Sequence, residues 1–114
     1  MSSPYGEWIL STTPTLPGYK IKRIIGPVTG ISARGRGLGG RIAAGIQMIT
    51  GGKLRSYIGE IEKARKEALE DMLNKAAKMG ANAVIGIDWE TTELMEGVVL
   101  ITVNGTAVVV EPET

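Results

Sequence analysis

From Val98 to Val110 the chain runs thirteen positions without a charged residue, and both alternating faces of this run are largely apolar. Val99, Ile101 and Val103 fall on one face and Val98 and Leu100 on the other, because successive side chains of a strand point to opposite sides. Such a strand belongs in the middle of a sheet with both faces covered. The 114 residues make one domain with one core. One long helix and one short one can cover a single face of its sheet, so the second face calls for a partner molecule. Asn104-Gly105 interrupts the run, either as a two-residue type I′ hairpin turn or, the preferred reading, as a bulge in one long strand.

The covering helix is legible between Ser56 and Met79. Ile58, Ile61, Ala68, Met72, Ala76 and Met79 form one stripe, widened by Leu69 and Leu73. Glu60, Lys63, Glu67, Glu70, Asn74 and Lys78 form the wet face, and Glu62 with Lys66 and Asp71 with Lys75 are i,i+4 pairs in the favourable order. Gly80 suits the position just past the helix end. A shorter helix is expected from the spacing of Leu38, Ile42, Ile46 and Ile49, with Gly51-Gly52 as its stop. Upstream, Pro17-Gly18 fits a type II turn. Tyr19 to Ala33 reads as a bent edge strand, since Pro27 cannot donate to a ladder. Ala83 to Thr92 reads as a further strand, joined to the last near Glu96-Gly97, with Trp89 on the face of Ile85 and Ile87. The expected fold is α+β. It is a βααββ two-layer subunit with a mostly antiparallel sheet, the charge-free strand central, the proline strand at the edge and one long helix packed on top. Residues 1–114 form a single domain, with 1–8 a loosely attached start.

Composition removes most familiar chemistry. With no Cys and no His there are no disulfides, no thiol nucleophiles, no Ser-His-Asp triads and no thiolate or imidazole metal ligands. No Phe is present, so the core is aliphatic. No run reaches the ~18 apolar residues of a membrane span, and Met1 to Trp8 lacks a secretory signal's basic and apolar regions, so a soluble cytoplasmic protein without membrane contacts is expected. The net charge of +1 hides a segregation: residues 1–55 hold eight basic residues against Glu7, and residues 56–114 hold five basic against eleven acidic. Such asymmetry marks a nucleic-acid or phosphate face, or complementary subunit surfaces in a self-assembling chain.

Two constellations carry chemistry. Gly35, Gly37 and Gly40 match G-x-G-x-x-G, but the interrupted strand before them and the short helix after them are wrong for a dinucleotide fold. A simpler anion site survives there. Arg34, Gly35, Arg36, Gly37, Gly39, Gly40 and Arg41 combine backbone amides at a helix start with three guanidinium groups, suited to a small anionic ligand or a nucleic acid. The plainer reading is an interface loop. Asp88, Glu90, Glu93 and Glu96 cluster at the last hairpin. Asp88 and Glu90 share a strand face as weak hard-cation candidates, the plainer reading being a solvated hairpin.

Particular strings go further: Ser11 to Leu16, Gly26-Pro-Val-Thr-Gly30, Gly51-Gly52, Tyr57, Ala64-Arg65, Ala68, Gly80 to Asp88 and Gly105-Thr-Ala-Val108. In this order and spacing they resemble the YbjQ family over residues 9–109. The resemblance implies a dodecin-type subunit assembled into a ring-shaped homopentamer, in a family of unknown function that carries a heavy-metal label. The chain departs from it at Trp89-Glu-Thr-Thr and in the extra Gly and Arg of the loop. The resemblance supplies no catalytic residues, and soft metals want ligands that this chain lacks. The leading functional reading is a non-enzymatic homo-oligomer without a cofactor, binding a small ligand or serving as a scaffold. The alternatives are an anion or nucleic-acid binder through residues 34–41, and an enzyme on a phosphorylated substrate.

Overall fold

The computed structural model describes residues 6–34, 51–95 and 98–113. They form β1 (Ile9–Leu10), β2 (Tyr19–Arg34), α1 (Gly51–Lys78), β3 (Ala83–Met95) and β4 (Val98–Pro112). One four-stranded sheet has the order β1-β3-β4-β2, with β4 antiparallel to both long neighbours and β1 parallel to β3. The charge-free strand is therefore central, and the strand carrying Pro27 is at the edge. β1 is an addition to the expected order, too short at two residues to leave a periodic signal.

The core lies between α1 and one sheet face, where Ala64, Ala68, Met72 and Ala76 are fully buried against Val28, Val84, Ile101 and Val103. It is aliphatic, as the absence of Phe requires, with Trp8 and Trp89 packed at its margin. The helix stripe matches the expected one except at Ile58, which is 47% exposed. The helix closes in a Schellman arrangement, with Ala81 N–H on the Ala76 carbonyl, Gly80 N–H on the Ala77 carbonyl and Gly80 at φ 90°. The Pro17-Gly18 turn is also as read, closed by Tyr19 N–H on the Leu16 carbonyl at 3.0 Å with Gly18 at φ 85°.

Three local expectations are corrected. Gly51 and Gly52 are helical rather than a stop, and the short helix expected before them lies outside the described residues. Asn104-Gly105 makes no turn: β4 runs through it, and the bulge sits on its partner, where Gly86 and Ile87 together oppose Gly105. Gly86 adopts φ 61°, a conformation that a side chain would strain. The bulge advances the alternation of β3 by one residue. Ile85 consequently packs on the far face of the sheet, while Ile87 and Trp89 pack toward the helix, so Trp89 does not share a face with Ile85.

The chain also covers part of the face that its composition leaves for a partner. Ala83, Ile85, Val108 and Val110 are buried beneath Ile9, Leu16 and Ile21, so the segment of β1 and the following turn serves as a second layer at that end. That segment is anchored by hydrogen bonds. Gly86 N–H donates to the Thr13 carbonyl and Ile87 N–H to the Ser11 carbonyl, which satisfies the two amides freed by the bulge. Beyond the start of β3, the Asn82 side chain stands in for a strand, donating to the Val110 carbonyl at 2.9 Å and accepting from its N–H at 2.8 Å.

Candidate functional site

Away from Ile9 and Leu16, the sheet face opposite the helix is open. Pairing places Asp88, Asn104 and Thr29 in one row across β3, β4 and β2, and Glu90, Thr102 and Ile31 in the next. Thr29 donates its hydroxyl to Asn104 Oδ1 at 2.9 Å. Ile31 is 49% exposed, and Asp88 and Glu90 are both exposed. The two carboxylates thus share a face as expected. Among the described residues no group of three His, Cys, Asp or Glu side chains is placed to hold a metal ion.

On the helix side, the ring of Trp89 lies 5.6 Å under the Arg65 guanidinium, a cation–π contact between β3 and α1. In the sequence Trp89 reads only as packing and Arg65 has no role, because it is the register of helix against sheet that brings them together. A shallow cleft of about 210 Å³ opens at the other end, lined by Glu7, Trp8, Ala81 and Asn82. Arg34 closes β2 opposite Val99. Gly35, Arg36, Gly37, Gly39, Gly40 and Arg41 of the expected anion loop, and Glu96 of the hairpin, lie outside the described residues.

The outer edge of β2 is partly capped by the helix. Asp71 Oδ2 accepts the Ile31 N–H at 3.0 Å, and Lys75 Nζ donates to the Thr29 carbonyl at 3.1 Å while pairing with Asp71 at 2.9 Å. Two edge groups are thereby withdrawn from pairing with another strand. The Lys75 hydrogen bond first, and the Ile31 amide second, hold the Asp71 carboxyl below its ordinary range. A lowered folded pKa stabilises the fold above the carboxyl's unfolded pKa, near ~3.9, and that contribution is lost as pH falls through the lower folded value. Because the pair is solvent-screened, Asp71→Asn should cost no more than about 1 kcal/mol at neutral pH. Urea titrations of wild type and variant should converge in acid, and an unchanged gap would contradict this assignment.

The chain is thus a small α+β fold: a mostly antiparallel four-stranded sheet with one long helix on one face and a half-covered second face. The YbjQ family model, described as "Putative heavy-metal-binding", matches residues 8–111, and the chain belongs to that family. It is 44% identical to a UPF0145 protein of Sulfurisphaera tokodaii over 110 residues, 96% of each chain. It is 44% identical to one of Methanoregula boonei over 108 residues, covering 95% of this chain and 90% of that one. A crystal structure of a protein of unknown function from the DUF74 family of Pediococcus pentosaceus superposes with a TM-score of 0.61 at 15% identity. It covers 91% of this chain and 98% of that one, and so shares the fold.

The heavy-metal description finds no available soft donor among the described side chains, which do not include those of Met1, Met48 and Met95. There is no Cys or His, Met72 is fully buried, and Met79 packs on the core. Calorimetric titration with Zn²⁺, Cu²⁺ or Cd²⁺ at neutral pH should therefore show no stoichiometric, sub-micromolar binding. Heat of that size would refute the reading of the donor set.

Proposed function

We propose that the protein is a non-enzymatic, soluble, cytoplasmic homo-oligomer with a small-ligand or scaffold role, assembled as a ring of five. The observation that carries this reading is the open half of the sheet. Ile31 is 49% exposed in the row of Thr102 and Glu90, and Ile24 is 66% exposed at the edge strand. Large aliphatic side chains on a sheet face are normally covered, and here the chain's own second layer buries Val108 and Val110 but leaves Ile24 beside Val108, and Ile31 farther along β2, in water. The number five comes from the family resemblance. The test is native mass spectrometry of freshly purified protein, which reads the subunit count and any retained small molecule in one spectrum. A pentamer supports the reading, and a monomer at micromolar concentration contradicts it.

A further inference from the structure

Among the described side chains, two basic residues of β2 and two acidic residues of β3 stand far apart on the sheet. Lys20 and Arg23 pair across the ladder with Glu111 and Val109 near the start of β2, one edge of the sheet. Both are exposed, and neither meets a carboxylate among the described residues. Lys22 between them is already paired with Glu111 at 3.5 Å. Asp88 and Glu90 lie on β3, across the sheet from β2, and among the described residues meet no cation. Their pairing with Asn104 and Thr102 puts them on the open face, whereas the pairing of Lys20 and Arg23 puts these two on the helix side. From Arg23 to the Asp88 row at Thr29 is on the order of 20 Å along the strand at ~3.3 Å per residue. That is about twice the screening length in physiological salt, so one copy cannot pair its own two patches. Ile31 is exposed in the row of Glu90, and Ile24, which follows Arg23 but pairs with Val108, is exposed on that same open face.

We propose that the partner of the Asp88–Glu90 face is the Lys20–Arg23 end of β2 from a second copy of this chain, in a head-to-tail contact. This inference rests on the oligomeric reading above and deepens it by naming the surfaces that meet. The two patches lie on opposite faces and toward opposite edges, so the contact is heterologous. It leaves each copy with one patch free for the next, and the series ends only by closing into a ring. Opposite charge sets the register, and Ile31 beside the Glu90 row supplies apolar area that is removed from water.

Charge reversal tests this in the full-length chain. Sedimentation velocity over a concentration series compares wild type with Lys20→Glu/Arg23→Glu, with Asp88→Lys/Glu90→Lys and with the fourfold variant that exchanges the two patches. Circular dichroism verifies that each is folded, which the exposure of all four residues favours. Each double variant should need at least about tenfold more protein to assemble, since each places like charges face to face. The fourfold variant should recover most of that loss, and wild-type assembly should weaken as salt rises. Wild-type assembly that survives both double reversals unchanged, or a fourfold variant no better than either double, overturns the docking surfaces and leaves the oligomer standing. A wild type that stays monomeric overturns both. So does a monomer whose Asp88 and Glu90 resonances respond to Mg²⁺, which would assign that face to a hard cation.

Discussion

Gly30→Ala is expected to destabilise the fold by about 3 kcal/mol or more, read as a lowered urea midpoint with an unchanged slope. A methyl group at this position would fall inside the contact radius of the Ala68 carbonyl oxygen, 2.7 Å from Met72 N and 2.8 Å from Met72 Cβ. Two of those three atoms are helix backbone, which cannot swing aside as the end of a side chain can. The helix would have to lift from β2, and the Asp71 and Lys75 contacts to Ile31 and Thr29, anchored from the same turns of α1, would lengthen with it. Shortening Met72 should not rescue the variant, because the Cβ and amide nitrogen in the way are common to Ala and Met. A midpoint within error of wild type would show that the helix does not approach the edge strand this closely.

Met72→Ala carries the other large effect. Met72 heads the fully buried side chains by volume, at 0% exposure, and sits where the helix crosses β2 and β4. Truncating it removes buried apolar surface and leaves a void that backbone on one side and central-strand residues on the other cannot fill, at a cost of about 2–5 kcal/mol. Met72→Leu conserves the volume and should cost less than about 1.5 kcal/mol. That contrast separates a packing role from a ligand role, because a thioether metal ligand would tolerate neither change in metal affinity. The same urea series resolves both variants, and a near-neutral Met72→Ala would mean that the core closes over the gap.

The two layers of this fold differ in how plainly residues announce them. The helix stripe from Ile61 to Met79, the Gly80 cap and the Pro17-Gly18 turn were legible because each depends on neighbours within one or two helical turns or one β-turn. The central place of Val98 to Val110 and the edge place of the Pro27 strand were legible because hydrogen bonding and solvation exclude the alternatives. The strand that carries the bulge was not legible, for a physical reason. Gly105 lies in β4, where its backbone approaches Val84 so closely that a methyl group on it would meet Val84 Cγ1 at 2.5 Å, and the extra residue is accommodated across the ladder at Gly86. Which of two facing strands bulges depends on their register, and that is a long-range property. The cation–π contact of Arg65 with Trp89 was hidden for the same reason.

The candidate site follows the same division. That Asp88 and Glu90 share a face, and that the basic residues concentrate in the first half of the chain, follow from alternation and counting alone. The sequence by itself thus determined the fold class, the order of the long strands, the aliphatic core and the exclusion of thiol and imidazole chemistry, since these rest on local periodicity and on the residue types present. Only the tertiary structure decided that the start of the chain folds back as β1 and covers Val108 and Val110. It alone decided that Asp71 and Lys75 cap part of the edge strand, and that Lys20 and Arg23 lie too far from Asp88 and Glu90 to neutralise them. Each of these depends on the register between elements far apart in sequence, which is settled by packing over the whole core rather than by any one segment.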